Sequence, residues 1–284
     1  MATFYNKATL SYNGTSTDSN IVSGEIIAAL TASKQALVQD YDAGEIITYA
    51  ISLVNSAPSS LTGLTVTDNL GSYSFGSQTL VPLTYLPGSL YLYVNGVQQP
   101  TPVITSASPL TVTGLSIPAG GNALLLYNAT VNGYAPLNLE SEITNTGSVT
   151  GPSLVAPVPF TETIAKDTAA KLSISKSLCP ETITESGEIT YTFLIQNTGN
   201  LSAGLAENVS ITDTFLPVLN NITVTYNGTI WTEPANYTYD ETTGIFQTLP
   251  GSVTVPPATY TQNPVTGEWT TTPGVAIIRV TGTI

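Results

Sequence analysis

The sequence predicts an all-β protein built from two tandem β-sandwich domains, and three observations carry that prediction. Short runs alternate apolar and polar residues. Tyr49, Ile51 and Leu53 alternate with Thr48, Ala50 and Ser52, and Tyr191, Phe193 and Ile195 with Thr190, Thr192 and Gln196. That period of two puts one apolar face on each segment, as in a half-buried strand. The runs are punctuated by 23 Gly and 19 Pro spread through the chain, the spacing of turn signals in an all-β sandwich. Finally, one block of sequence occurs twice at a period above 100 residues, which indicates tandem domains rather than a short-repeat solenoid.

The repeat orders the elements. Leu30-Thr31-Ala32-Ser33-Lys34 matches Leu172-Ser173-Ile174-Ser175-Lys176. Gly44 to Tyr49 matches Gly187 to Tyr191 with one residue inserted. Leu53-Val54-Asn55 matches Ile195-Gln196-Asn197, and Val66-Thr67-Asp68 matches Ile211-Thr212-Asp213. Leu124 to Val131 matches Ile277 to Ile284. In the first copy a further strand follows, Glu142 to Val149, with an extended run to Ile164; its counterpart stands at the start of the chain, where Asn6 lines up with Asn145. The expected organisation is therefore residues 1–29 as N-terminal donor strands, 30–165 as a first sandwich, and 166–284 as a second sandwich lacking its closing strand. Residues 26–36 come nearest to a helical stripe, but their repeat partner alternates like a strand.

A sandwich without its closing strand exposes unpaired backbone groups that an incoming strand can satisfy, the β-augmentation mode. Phe4, Tyr5, Asn6, Ala8, Leu10, Tyr12, Ile21 and Ile284 are the candidate junction residues. The expected partner is a second copy of the chain, joined head to tail. Such a heterologous contact makes rings or open filaments. The alternatives are a ribbon folded back onto its own chain, or a monomeric surface adhesin that binds glycans or a coat protein.

Composition narrows the function further. The net charge is −13, yet only 9% of residues are charged and only six are basic, too few to neutralise a phosphate backbone. Neither nucleic acid nor an anionic membrane is an expected partner. Residues 1–10 have neither a basic start nor an apolar core, so no secretion signal is expected, and no run of about 20 apolar residues is present to span a bilayer. Release by cell lysis is the expected route outside. The chain has no His and one Cys, and neither a phosphate loop nor a nucleophile elbow, so turnover catalysis is not expected. Asp40, Asp42 and Glu45 offer oxygen ligands but lack the spacing of a calcium loop; they read as a solvated turn, and no metal or cofactor is expected. Cys179 is a candidate cross-link, though a free Cys is more often a small buried apolar residue.

The order of these motifs resembles the bacterial surface repeat called domain of unknown function eleven: a strand ending in Ser-Lys (Ser33-Lys34, Ser175-Lys176), a Thr-Tyr strand (Thr48-Tyr49, Thr190-Tyr191), Asp68 and Asp213, and an Asn-containing closing strand (Asn145, Asn6). The resemblance covers nearly the whole chain. It implies immunoglobulin-like or pilin-like sandwiches in an extracellular structural protein. A two-domain chain of 29.6 kDa is also similar to structural proteins of clostridial spore appendages, which implies a place on the cell or spore surface and other coat proteins as partners. In pilin-type sandwiches the first and last strands lie side by side, which would set Lys34 against Asn145 with Asp68 nearby. Burial disfavours the charged forms of Lys and Asp. A neutral amine could then attack an amide carbonyl polarised by a protonated carboxyl, releasing ammonia and leaving an isopeptide bond. Lys176, Asp213 and Asn6 of a neighbouring copy form the equivalent intermolecular set.

Overall fold

The computed structural model describes residues 2–26, 29–184 and 187–284. It is all-β: among the described residues there is no helix, and none is long and apolar enough to cross a membrane. The chain forms two compact units, one of residues 1–135 with 142–165 and the other of 136–141 with 166–284.

The first unit contains an immunoglobulin-like sandwich of two antiparallel sheets. One sheet runs in the order Val97–Gln99, Tyr91–Val94, Asn122–Val131, Ile46–Asn55 and Leu30–Ala36, with Leu83–Tyr85 also pairing on Asn122–Val131. The other runs Val103–Ala107, Leu110–Ile117, Leu61–Asp68, Glu142–Thr150, Val158–Lys166 and Asp40–Tyr41. Alternation along each strand sends Ile47, Tyr49, Ile51 and Leu53 inward from one sheet and Leu64, Val66, Val112 and Ile164 from the other, into one continuous core. Of the segment 26–36, whose pattern comes nearest to a helix, residues 27 and 28 lie outside the described residues and Leu30–Ala36 is a strand that buries Leu30, Lys34 and Ala36.

The same unit carries an N-terminal ribbon. Ala2–Asn6 pairs antiparallel with Val22–Ile26, and Thr9–Tyr12 with Thr15–Asp18. The turn is Asn13-Gly14, both at positive φ (44° and 79°), the combination a two-residue hairpin of this twist requires. Lys7 reaches Asp18 at 2.5 Å and Thr9 donates to the same carboxylate at 2.7 Å. Every residue from Thr3 to Ser23 is exposed, including Phe4, Tyr5, Leu10, Tyr12, Ile21 and Val22. The expected donor segment also includes residues 1, 27 and 28, which lie outside the described residues.

The second unit repeats the first in part. Its larger sheet runs Leu172–Cys179, Glu188–Asn197, Gly274–Thr283, Asn220–Tyr226 and Thr229–Trp231. Its smaller sheet has three strands, in the order Thr212–Thr214, Ile245–Thr248 and Tyr237–Asp240. A hairpin of Thr259–Gln262 and Trp269–Thr272 stands apart from both. Asn55 and its counterpart Asn197 are fully buried and latch loops alike. Asn55 Nδ2 donates to the carbonyls of Ser59, Ile117 and Pro118, and Asn197 Nδ2 to those of Leu201 and Pro256. A buried amide with its hydrogen bonds met fixes a loop at little net cost.

Candidate functional site

The repeat equivalence lets the two sandwiches be compared strand for strand. In the first, Leu61–Asp68 lies between Leu110–Ile117 and Glu142–Thr150, with Gly147 opposite Asp68, Ser148 opposite Thr67 and Val149 opposite Val66. In the second, the counterpart Thr212–Thr214 pairs with Ile245–Thr248 and, among the described residues, with no strand on its other side. The hairpin that closes the first sandwich, Glu142–Thr150 with Val158–Lys166, has no counterpart in the described second unit.

The consequence is visible across the core. The strand Leu30–Ala36 buries its inward face, whereas every residue of Leu172–Cys179 is exposed. Leu172, Ile174 and Leu178 are 41%, 56% and 41% exposed; Leu30, the counterpart of Leu172, is 1% exposed. Beside this stripe lies a cavity of about 240 Å³ lined by Leu172, Ile174, Ile195, Val209 and Ile211 together with Ser173 and Ser210. Cys179, expected to be buried, is exposed. It stands opposite Thr190, on the face of its strand turned away from the core; Leu37, at the matching position of the closed first sandwich, is likewise exposed. Ile284 packs partly buried against the second core. Trp231 is buried and stacks on Tyr226, with ring centroids 4.8 Å apart.

Lys34, Asp68 and Asn145 come together inside the first sandwich. Lys34 Nζ lies 2.6 Å from Asp68 Oδ2, and both side chains are 0% exposed. Tyr127 donates its hydroxyl to the same Oδ2 at 2.8 Å and accepts from Asn145 Nδ2 at 3.2 Å. Gly71 donates its backbone N–H to Asn145 Oδ1 at 3.2 Å, and Leu70 N–H to Asp68 Oδ1 at 3.0 Å. The ammonium sits 4.4 Å from the centre of the Tyr49 ring, 5.6 Å from Tyr127 and 5.8 Å from Phe160. One expectation is corrected. The Lys34 and Asn145 strands are not side by side: they belong to opposite sheets, and their inward side chains approach Asp68 and Tyr127 across the interior.

Burial pulls the pKa of Lys34 down to about 8, against the opposing pull of the Asp68 carboxylate. Removal from water penalises the charged amine. The same burial raises the Tyr127 hydroxyl well above its ordinary value, and the Asp68 carboxylate adds to that rise. The cluster thus supplies an amine that loses its proton readily, a carboxylate to receive it, and an amide whose oxygen already accepts a backbone N–H. A donor placed on the oxygen where negative charge develops is the arrangement that assists acyl transfer.

In the second sandwich Lys176 donates to Asp213. The side chains are 38% and 19% exposed. Lys176 Nζ lies 4.5 Å from the Tyr191 ring centre, 5.4 Å from Phe215 and 5.5 Å from Phe193. Asn6, the residue aligned with Asn145, is exposed in the ribbon. Tyr127 and Gly71 were not singled out by the sequence, and Tyr49 only as an inward strand residue and part of the Thr-Tyr motif. Tyr127 gave no repeat signal because Val280 stands at its counterpart: Tyr127 faces Tyr49 as Val280 faces Tyr191. Asp42 N–H donates to Glu45 Oε2 at 2.9 Å, so those acidic residues bracket a turn.

No family model matches the chain, and no curated protein matches it. Similar solved structures include the major pilin subunit of Bacillus cereus (11% identity, 96% of this chain and 73% of that one, TM-score 0.34). Others are the pilus backbone of Streptococcus pneumoniae (11% identity, 87% and 55%, TM-score 0.32) and the collagen-binding domain of a Staphylococcus aureus adhesin (13% identity, 50% and 99%, TM-score 0.31).

Proposed function

We propose that this chain is a structural subunit of a bacterial surface or spore-appendage filament, polymerising head to tail as the N-terminal ribbon of one copy closes the second sandwich of the next. The observation that carries this reading is the contrast between the two sandwiches: the face covered by a closing hairpin in the first has no such cover among the described residues of the second. The free edge of Thr212–Thr214 offers unpaired backbone groups, a template for another strand. The ribbon is the complementary half. An isolated two-stranded hairpin is marginal in water, and this one exposes six large apolar side chains.

The first sandwich supplies the register. With Asn6 in the place of Asn145, Phe4, Ala8 and Leu10 take the places of Ile143, Gly147 and Val149. Ala8, Thr9 and Leu10 then pair with Asp213, Thr212 and Ile211, and Leu10 enters the apolar cavity. The first sandwich is already closed, so each copy has one donor and one acceptor, and growth is directional. Within the first sandwich, attack of Lys34 on Asn145 would staple the domain with an intramolecular isopeptide bond. The scarcity of Lys and Arg suits a durable exterior material with few tryptic sites.

Electron microscopy of the purified full chain tests the reading. Filaments are expected, and a substoichiometric amount of chain lacking residues 1–27 should shorten them, because that chain accepts a ribbon but donates none. Monodisperse monomers at high concentration, including a ribbon closed onto its own chain, would overturn it.

A further inference from the structure

We propose that docking of the ribbon also completes a second Lys–Asp–Asn cluster between two copies, and that this cluster closes into an isopeptide bond from Lys176 of one copy to Asn6 of the next. The inference rests on the strand-donation reading and deepens it: the joint becomes a covalent weld that forms only after assembly.

Two of the three groups are in place before any partner arrives. Lys176 is hydrogen-bonded to Asp213 within an aromatic surround of Tyr191, Phe193 and Phe215. That matches Lys34, which is held by Asp68 among Tyr49, Tyr127 and Phe160. Among the described residues, what the second site lacks is a cover and an amide. Its Lys and Asp side chains are partly open to water, while those of the first site are sealed. Both deficits are met by the same event. The register that puts Ala8 opposite Asp213 puts Asn6 two residues along the same strand, as Asn145 stands two residues from Gly147 opposite Asp68. A ribbon seated there brings the amide and excludes the water together, so the chemistry is gated by docking.

The step balances without any co-reactant. Lys176 passes one proton to the Asp213 carboxylate and attacks Cγ of Asn6 as a neutral amine, forming the new C–N bond. The Asp213 carboxyl gives that proton to the amide nitrogen, the Cγ–Nδ2 bond breaks and ammonia leaves. The carboxylate takes the remaining proton from the attacking nitrogen and yields it to ammonia as ammonium. The net change is one lysine ammonium and one amide converted to a secondary amide and ammonium. The second site differs from the first in having Val280 where Tyr127 stands, so no hydroxyl relays between carboxylate and amide, and the proton transfers fall on Asp213 alone.

The test uses the assembled full chain. Boiling in detergent should leave a ladder of multimers, peptide mapping should find Lys176 joined to Asn6, and each junction should be lighter by one ammonia. Lys176→Arg, Asp213→Ala and Asn6→Ser should each give filaments that dissolve to monomers on boiling. Asn6 lies on the exposed ribbon, so Asn6→Ser serves even where a groove variant fails to fold. Filaments of the unaltered chain that dissolve to monomers, or a ladder that persists in Asn6→Ser, would overturn the weld and leave strand donation standing. Absence of filaments altogether would overturn both.

Discussion

Replacement of Leu10 tests the junction where its apolar contribution concentrates. In the free chain Leu10 is 62% exposed, while Val149, the residue whose place it takes, is fully buried. Burying most of a leucine side chain contributes about 1–2 kcal/mol by transfer from water. Truncating it in a packed slot adds the cost of the cavity, bringing Leu→Ala to about 2–5 kcal/mol. Taking about 2–4 kcal/mol, Leu10→Ala should raise the concentration needed for assembly roughly 30- to 1,000-fold. Leu10→Asp would in addition bury an unpaired carboxylate among Leu172, Ile174, Ile195, Val209 and Ile211, and should abolish assembly at any practical concentration. Sedimentation velocity over a concentration series reads the effect. Because Leu10 touches no core of its own chain, the thermal melting of the first sandwich should be unchanged. Assembly of Leu10→Asp at the same concentration as the unaltered chain would refute both the register and the role assigned to the cavity.

Other expectations follow from the buried cluster and the bare strand. In an Asn145→Ala chain Lys34 stays a free amine with its pKa lowered to about 8 from 10.5. Below about pH 8 folded and unfolded states are both protonated; between 8 and 10.5 only the unfolded state holds the proton, so stability should rise with pH across that window, by up to about 3 kcal/mol. Denaturant midpoints at pH 7.5 and 9.5 check the sign, and a fall would contradict it. In the same background Lys34→Met strands the Asp68 carboxylate and should cost about 3–5 kcal/mol, much of it recovered by adding Asp68→Leu; equal midpoints for the single and double variants would argue against a buried ion pair. Gly71→Ala should destabilise the first sandwich by about 1–3 kcal/mol, because Gly71 sits at φ +74° and a Cβ there would come within 2.6 Å of Ile143; an unchanged melting temperature would contradict the geometry. Cys179 should react with a maleimide in the native protein at nearly the rate of the unfolded chain, and protection would contradict its place on the outward face of its strand.

How far the sequence could be read depended on whether a residue repeats. The alternation at Tyr49, Ile51 and Leu53 states the all-β fold directly, since period two follows from strand geometry alone. Lys34, Asp68 and Asn145 stand out because each recurs. Tyr127 and Gly71 do not recur, and the hydrogen bonds that bring them to Asp68 and Asn145 join a strand and a turn to partners far off in sequence, so no local pattern announces them. The same limit applies to strand neighbours. The resemblance to pilin-type sandwiches implied that the Lys34 and Asn145 strands were adjacent, whereas sheet pairing puts them in opposite layers that meet through side chains. Exposure of Cys179 follows instead from alternation: it falls on the face opposite Leu172, Ile174 and Leu178, and the general burial preference of a free Cys does not reflect that placement.

Strand donation is tested most directly by trapping the junction in its expected register. Thr9 should pair with Thr212 of the next copy, as Ser148 pairs with Thr67. Directly opposed residues of antiparallel strands have Cα atoms about 4.5–5.5 Å apart, within reach of a disulfide. In a Cys179→Ser background, a chain carrying Thr9→Cys mixed with one carrying Thr212→Cys should oxidise to a disulfide-linked heterodimer. Neither chain should do so alone, and moving the acceptor cysteine to Thr214 should lose the link. Absence of the heterodimer, or a chain carrying both cysteines that closes only within itself, would contradict the account.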